Sequence, residues 1–221
     1  MQTFLHLLPL ALALAFSTVP ILAAFVILLS PNSSRSAIPF LIGWVLGMFA
    51  VVSLATLLAQ TVPKPRLPRR EQETIGILEV IVGAAIILIG LFTLWRQRKR
   101  AQETIPRWLK SVEKVGPWSS FGLALLLNIR PKSLLLAIAS GLALRADTKS
   151  VSDAVIAIAI YTLIGSSTVT IPIIAATASP ERVRPRLVQA REWLLRNGEV
   201  ITSVILMLVG ALIIGIGLGR F

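Results

Sequence analysis

At 221 residues, with 55% hydrophobic and 14% charged side chains, the chain carries more apolar surface than a soluble globule of its size can bury. Its net charge of +12 resembles a nucleic-acid signature, but basic loops are what membrane topology itself requires, so no nucleic-acid partner is expected. There is no Cys, which excludes disulfides, thiol relays and thiolate metal sites; His6 is the lone histidine and a poor metal ligand.

Six runs are long and apolar enough to cross about 30 Å of hydrocarbon: 5–29, 37–61, 75–95, 119–144, 153–176 and 200–218. The first is read as a retained helix and not a signal peptide, because no Lys or Arg precedes it and its apolar core is too long. Glu79 and Asp153 stand near one end of the third and fifth runs, within reach of the interface. Lys and Arg in the loops after the first, third and fifth runs outnumber those on the opposite side. Positive-inside bias therefore predicts a multi-pass protein of the plasma (inner) membrane with both termini extracytoplasmic. Two connecting loops, 107–115 and 186–196, read as basic amphipathic helices. The second sets Leu187, Ala190 and Leu194 on one face and Arg on the other, a pattern that lies on membranes and favours anionic headgroups. Trp44, Trp95 and Trp118 read as interfacial belt residues.

The two halves share landmarks in the same order. Glu79-Val80-Ile81 matches Glu199-Val200-Ile201, and Gly90 then falls level with Gly210; Gly47 pairs with Gly165, and Pro20 with Pro131. Three spans per half insert the second copy upside down. The fold class expected is an all-α integral membrane protein of six transmembrane helices. They form two inverted three-helix repeats, 1–117 (with its basic linker) and 118–221, with broken first and fourth helices.

The fourth run contains the feature hardest to place in lipid, Asn128-Ile129-Arg130-Pro131-Lys132-Ser133. A cation at mid-bilayer costs roughly 3 kcal/mol on insertion scales unless water or a partner meets it. Proline removes a helical donor and frees carbonyls at the same depth. Snorkelling, or an ion pair with Asp153 or Glu79, is the competing explanation. In the fifth run, Ser166, Ser167, Thr168 and Thr170 precede Pro172; such hydroxyls bond across helices or replace carbonyls that proline frees. Ser17, beside Pro20, is a further candidate for the same cavity.

Absences narrow the chemistry. No Asp or Glu lies deep in any run, which disfavours a metal site or buried acidic proton relay. A cationic substrate would be repelled by Arg130 and Lys132, whereas a carboxylate, phosphate or sulfate would be attracted. No catalytic constellation or phosphate loop is present, so neither enzyme activity nor a cofactor is expected.

Four blocks carry a family resemblance: Ser17-Thr18-Val19-Pro20-Ile21 with Leu28-Leu29-Ser30-Pro31; Phe40-Leu41-Ile42-Gly43-Trp44-Val45-Leu46-Gly47; Pro131-Lys132-Ser133-Leu134-Leu135-Leu136-Ala137; and Trp193-Leu194-Leu195-Arg196-Asn197. Together they resemble the GAP family of peptidoglycolipid- or sulfolipid-addressing proteins, within the lysine exporter superfamily, over nearly the whole chain. The resemblance implies a six-helix plasma-membrane protein linked to outward movement of envelope glycolipids or similar solutes. The family's Asn-Pro-Lys carries over onto Pro131 and Lys132, whereas Arg130 is this chain's own, as is Thr18 where a proline is usual.

The combined expectation is an exporter of an anionic or amphipathic solute or cell-envelope (glyco)lipid, working by alternating access. Its substrate would meet Lys132, Arg130, Asn128, Ser166, Ser167, Thr168 and Thr170, at helix breaks marked by Pro20, Pro131 and Pro172. The alternative is a non-transporting scaffold for an envelope-lipid synthase or larger exporter. Candidate partners are anionic lipid headgroups at the basic loops, a second copy of the chain, or an envelope-lipid biosynthesis protein.

Overall fold

The computed structural model describes residues 2–61, 69–97, 116–147 and 150–219, and every regular element among them is an α-helix. In chain order these are α1 (Gln2–Ala15), α2 (Thr18–Leu29), α3 (Ser33–Thr61), α4 (Arg69–Gln97), α5 (Pro117–Asn128), α6 (Pro131–Asp147), α7 (Val151–Ala178) and α8 (Pro180–Leu218). The amphipathic stretch expected at 107–115 lies outside the described residues.

Among the described residues, two helices are long and apolar enough to cross a membrane, Ser33–Gln60 and Val151–Ala178. Up to four spans result if the bent pairs Pro117–Asn128 with Ser133–Leu142, and Pro180–Gly198 with Val200–Gly215, each count as one. The second, fourth, fifth and sixth runs read from the sequence fall on these spans, whereas the third contributes only the shorter apolar helix Gly83–Phe92 among the described residues. The first run does not qualify by length because it is divided into α1 and α2, of 14 and 12 residues.

Proline explains where the chain breaks. Pro131 opens α6, where its missing N–H is one of the unpaired first-turn donors anyway and its fixed φ suits a helix start. The same ring disfavours helical geometry at Arg130, so α5 stops at Asn128. Pro20 stands in the first turn of α2, and its ring disfavours helix at the carbonyl of Phe16, between α1 and α2. Pro172 behaves differently from the helix break expected of it: α7 runs through it from Val151 to Ala178 without interruption. A proline inside a long apolar helix is tolerated when neighbouring helices and hydroxyls meet the freed backbone groups.

The chain divides into two compact units, Met1–Thr61 with Glu103–Arg196, and Val62–Gln102 with Asn197–Phe221. In the first, α3 buries Phe40, Trp44, Met48 and Val52 as one stripe at four-residue spacing. It packs against α2, α5, α6 and α7, and α7 packs against α1 and α2. The broken pair α5–α6 runs alongside α3 in the same direction: Ser120 Oγ donates to Ser36 O at 2.9 Å, Asn128 Nδ2 to Trp44 O at 3.3 Å, and Gly141 lies against Ala55 and Thr56. The other broken pair, α1–α2, runs likewise alongside α7. Leu14 adjoins Gly165, Ala15 O accepts from Thr168, and Leu28 faces the same cleft as Ala176.

In the second unit α4 and the end of α8 cross at glycines. A Cβ on Gly83 would stand 2.6 Å from Gly210 O, and one on Gly210 would stand 2.6 Å from Gly83 O. Small residues permit such backbone approach, which drives helix association in lipid.

The distribution of polarity is that of a membrane protein. Large apolar side chains point outward along the spanning helices, among them Leu54, Leu57, Leu58, Leu163 and Ile171. Hydroxyls lie inside: Ser36, Thr56, Ser120, Ser140, Thr162 and Ser166 are all buried. Several return to their own helix, as Thr56 to Val52 O at 2.8 Å, Ser140 to Leu136 O at 2.7 Å and Thr162 to Ile158 O at 2.8 Å.

Two sequence readings are corrected here. Trp44 is not a belt residue; it is 1% exposed, inside the first unit, whereas Trp95 and Trp118 are exposed as expected. The apolar face of 186–196 is covered by protein and not left for lipid, since Leu187 and Leu194 are both buried. Arg182, Arg184 and Arg186 remain exposed, and Arg196 pairs with Glu192 at 3.5 Å.

Candidate functional site

Of the residues singled out in the sequence, Asn128, Arg130 and Pro131 stand at one break of the first unit, Ser17 and Pro20 stand at the other, and the hydroxyl-rich stretch of α7 touches a break through Thr168. At the break between α5 and α6, Asn128 is the last helical residue and is 2% exposed. Its Nδ2 donates to Trp44 O and, at 3.0 Å, to Ala124 O, so both of its N–H groups hold backbone carbonyls. A Cβ on Gly47 would lie 2.7 Å from that nitrogen, which explains why α3 carries no side chain there. Pro131 removes the donor that Leu127 O would have received; Ser133 Oγ lies 3.5 Å from that carbonyl and supplies a long replacement. Arg130 O accepts the first backbone bond of α6, from Leu134 N at 2.9 Å.

Arg130 itself lies between the two helix ends and is half-buried. Among the described residues it has no ion pair and no hydrogen bond from its guanidinium. Asp153 is exposed in the first turn of α7, where its backbone N–H donates to Ser150 Oγ, and it makes no bridge to Arg130. Lys132 is the second residue of α6; its side chain, like that of Glu79, lies outside the described residues.

At the break between α1 and α2 the solution is neutral. The chain leaves α1 through Phe16, and Ser17, 5% exposed, precedes α2. The carbonyl of Ala15 accepts from the Thr168 hydroxyl of α7. Of the remaining α7 hydroxyls, Ser166 donates to Leu163 O at 3.4 Å and Ser167 to Ile164 O at 2.7 Å. None of the four bonds to Arg130 among the described residues. Thr168 is thus the one that reaches a break.

Thr170 differs from its neighbours, because its hydroxyl is buried with no hydrogen-bond partner among the described residues. The indole N–H of Trp44 is in the same condition, beside Asn128 in the chain of contacts. Each such group costs about 1–3 kcal/mol unless water or a ligand meets it. Sequence reasoning missed Trp44 because an aromatic near the start of a span resembles an interfacial anchor; only the packing of α5 on α3 buries it. Among the described residues no cluster of His, Cys, Asp or Glu could hold a metal ion.

These features define a helical membrane protein with a polar interior built around two interrupted helices. The family model of Sap, sulfolipid-1-addressing protein, matches residues 7–219, and the chain belongs to that family, as the motif blocks suggested. No curated protein and no solved structure matches it.

Proposed function

We propose that the chain exports an anionic or amphipathic solute, an envelope (glyco)lipid being the leading class, through a site at the α5–α6 break. The observation that carries this reading is Arg130: a guanidinium half-buried at the break with no ion pair among the described residues. A structural cation at that depth would be expected to have a carboxylate partner. An anionic headgroup would supply it, with Lys132 as the second contact. Thr170 and the Trp44 indole are buried donors without a partner among the described residues, available to a substrate that enters the polar interior. Asn128 and Thr168 keep both breaks in shape, and Ser166 and Ser167 line the same helix. The family's name, which concerns addressing of a sulfolipid, is in keeping with an anionic lipid cargo.

The six-span, inverted-repeat arrangement belongs to the same reading, with repeats 1–117 and 118–221 and a wider kinship to the lysine exporter superfamily. Two reciprocal contacts support it, one within each unit. The register that pairs Pro20 with Pro131 also pairs Leu14 with Leu125, and Gly165 meets Leu14 as Gly47 meets Leu125. In the other unit, the register that pairs Gly90 with Gly210 pairs Gly83 with Ser203, and Gly83 meets Gly210 as Gly90 meets Ser203. Repeats inserted in opposite senses would exchange the roles of their halves in this way, the arrangement that permits alternating access around a central site. Plasma-membrane insertion with both termini outside completes the proposal.

Reconstituted protein in liposomes tests the reading. Outward flux of a radiolabelled anionic glycolipid by the wild type, lost in Arg130→Ala and Lys132→Ala at equal incorporation, is the expected result. Unchanged flux in both variants removes the cations from the mechanism. Flux that requires a co-reconstituted synthase or exporter would favour the scaffold reading, which the unpaired buried donors do not explain.

A further inference from the structure

A second polar place in the first unit lies far from either break in the chain. Four helix ends meet there: α2 stops at Leu29, α3 starts at Ser33, α7 stops at Ala178 and α8 starts at Pro180. Between them is a cleft of about 360 Å³, within the range of small-molecule sites. Both α3 and α7 are long and apolar enough to cross a membrane, and the ends of spanning helices lie at headgroup depth.

The lining of the cleft combines two chemistries. Leu28, Ile38 and Leu187 are apolar. Arg184 and the hydroxyls of Ser30, Ser33, Ser34 and Thr177 are polar, with no Asp or Glu in the lining. Ser30 and Thr177 donate to carbonyls of their own helices, Ile27 O at 2.8 Å and Ile174 O at 2.9 Å, so they serve as acceptors only. Ser33 and Ser34 have no side-chain hydrogen bond among the described residues, and Arg184 has no ion pair there, Glu181 included. The free donors are therefore one guanidinium and two hydroxyls, in a cleft that is otherwise partly apolar. Tetrahedral oxyanions are bound by such donor sets.

We infer that this cleft receives the phosphate or sulfate headgroup of a membrane amphiphile, with Arg184, Ser33 and Ser34 on the headgroup and Ile38 and Leu28 along the first part of its tail. A soluble oxyanion would use the donors and leave the apolar lining residues without a role, which is why the source is assigned to the membrane. The inference goes beyond the export reading and does not rest on it, since binding here is measurable whether or not Arg130 and Lys132 carry a substrate.

The test uses full-length protein in neutral maltoside micelles, titrated calorimetrically with dioctanoyl phosphatidic acid, decyl sulfate, dioctanoylglycerol and inorganic phosphate. Saturable binding is expected for the two anionic amphiphiles, none for dioctanoylglycerol, and at least roughly tenfold weaker binding for inorganic phosphate. Arg184→Gln should weaken the amphiphiles about tenfold or more. Ser34→Asp, at an exposed position, should abolish the same component. Arg182→Gln, exposed and outside the cleft, should leave it unchanged. Equal binding by wild type, Arg184→Gln and Ser34→Asp overturns the inference. So does an equal loss in Arg182→Gln, which would indicate the general basic field of α8, or inorganic phosphate binding as tightly as the amphiphiles.

Discussion

The two helix breaks of the first unit solve one problem with different chemistry. Each interrupts a helix beside a proline, and each leaves backbone carbonyls without helical donors inside a membrane protein. At the first break a neutral hydroxyl from a neighbouring helix, Thr168, meets Ala15 O. At the second, the carboxamide of Asn128 holds Trp44 O and Ala124 O, and Ser133 approaches Leu127 O. At each break a neutral hydroxyl thus meets a freed carbonyl, Ala15 O or Leu127 O, whereas Trp44 O and Ala124 O lie within helices and are held by the Asn128 carboxamide as an extra tie. Arg130 answers no backbone need of the fold, and a guanidinium at that depth is costly to keep. Under the proposed function, the neutral residues serve the architecture and the cations of the second break meet the substrate.

The largest effect expected is on flux. Arg130→Ala combined with Lys132→Ala should lower liposome export by at least about a hundredfold, the loss of two charge-assisted contacts. Ser17→Ala at the neutral break should lower it less than about threefold, on the order of the weakest single hydrogen bond. Comparable losses at both breaks would dissolve the distinction between them.

Stability should respond in the opposite pattern. Thr168→Val strands the Ala15 carbonyl and Asn128→Leu removes the hydrogen bond that ties α5 to α3; each should cost about 1–3 kcal/mol, read as the midpoint of unfolding in mixed micelles. Arg130→Ala should change that midpoint by less than about 0.5 kcal/mol, because no protein partner is left behind. A large destabilisation in Arg130→Ala would make the guanidinium structural.

Glycines facing the breaks sharpen the contrast further. A methyl on Gly47 would meet the fixed Asn128 amide at 2.7 Å, whereas one on Gly165 would meet the Met48 sulfur at 3.0 Å. Methionine is adaptable, so Gly165→Ala should cost less than about 1 kcal/mol and Gly47→Ala about 1–3 kcal/mol. Modest effects are expected at the prolines. Pro20→Ala and Pro131→Ala, both in first helical turns, should shift the midpoint by roughly 0.5–1 kcal/mol.

Much of this layout could be read from local sequence. The interruption at Arg130 was legible because a proline constrains its own φ and the residue before it, whatever surrounds them. The break after Ala15 was legible from Pro20 in the same way, but Pro172 was misjudged: the helix around it is long, packed and supplied with hydroxyls, so a proline there did not end it. Hydroxyl clustering in α7 was visible as a pattern, yet the pattern did not distinguish Thr168, which crosses to α1, from Ser166 and Ser167, which turn back on their own helix. Trp44 and the Leu187–Leu194 face were assigned to lipid because amphipathic spacing looks the same whether the neighbour is an acyl chain or another helix.

Composition and proline placement alone established a helical membrane protein with a charged interruption, because hydropathy and backbone sterics act within a few residues. Tertiary structure alone decided which groups complete each break, joining partners 153 residues apart for Thr168 and Ala15 and 84 apart for Asn128 and Trp44. It also formed the cleft where four helix ends meet. A hydrogen bond depends on positions that helices take only after packing, so its partner is not written in the neighbourhood of either residue.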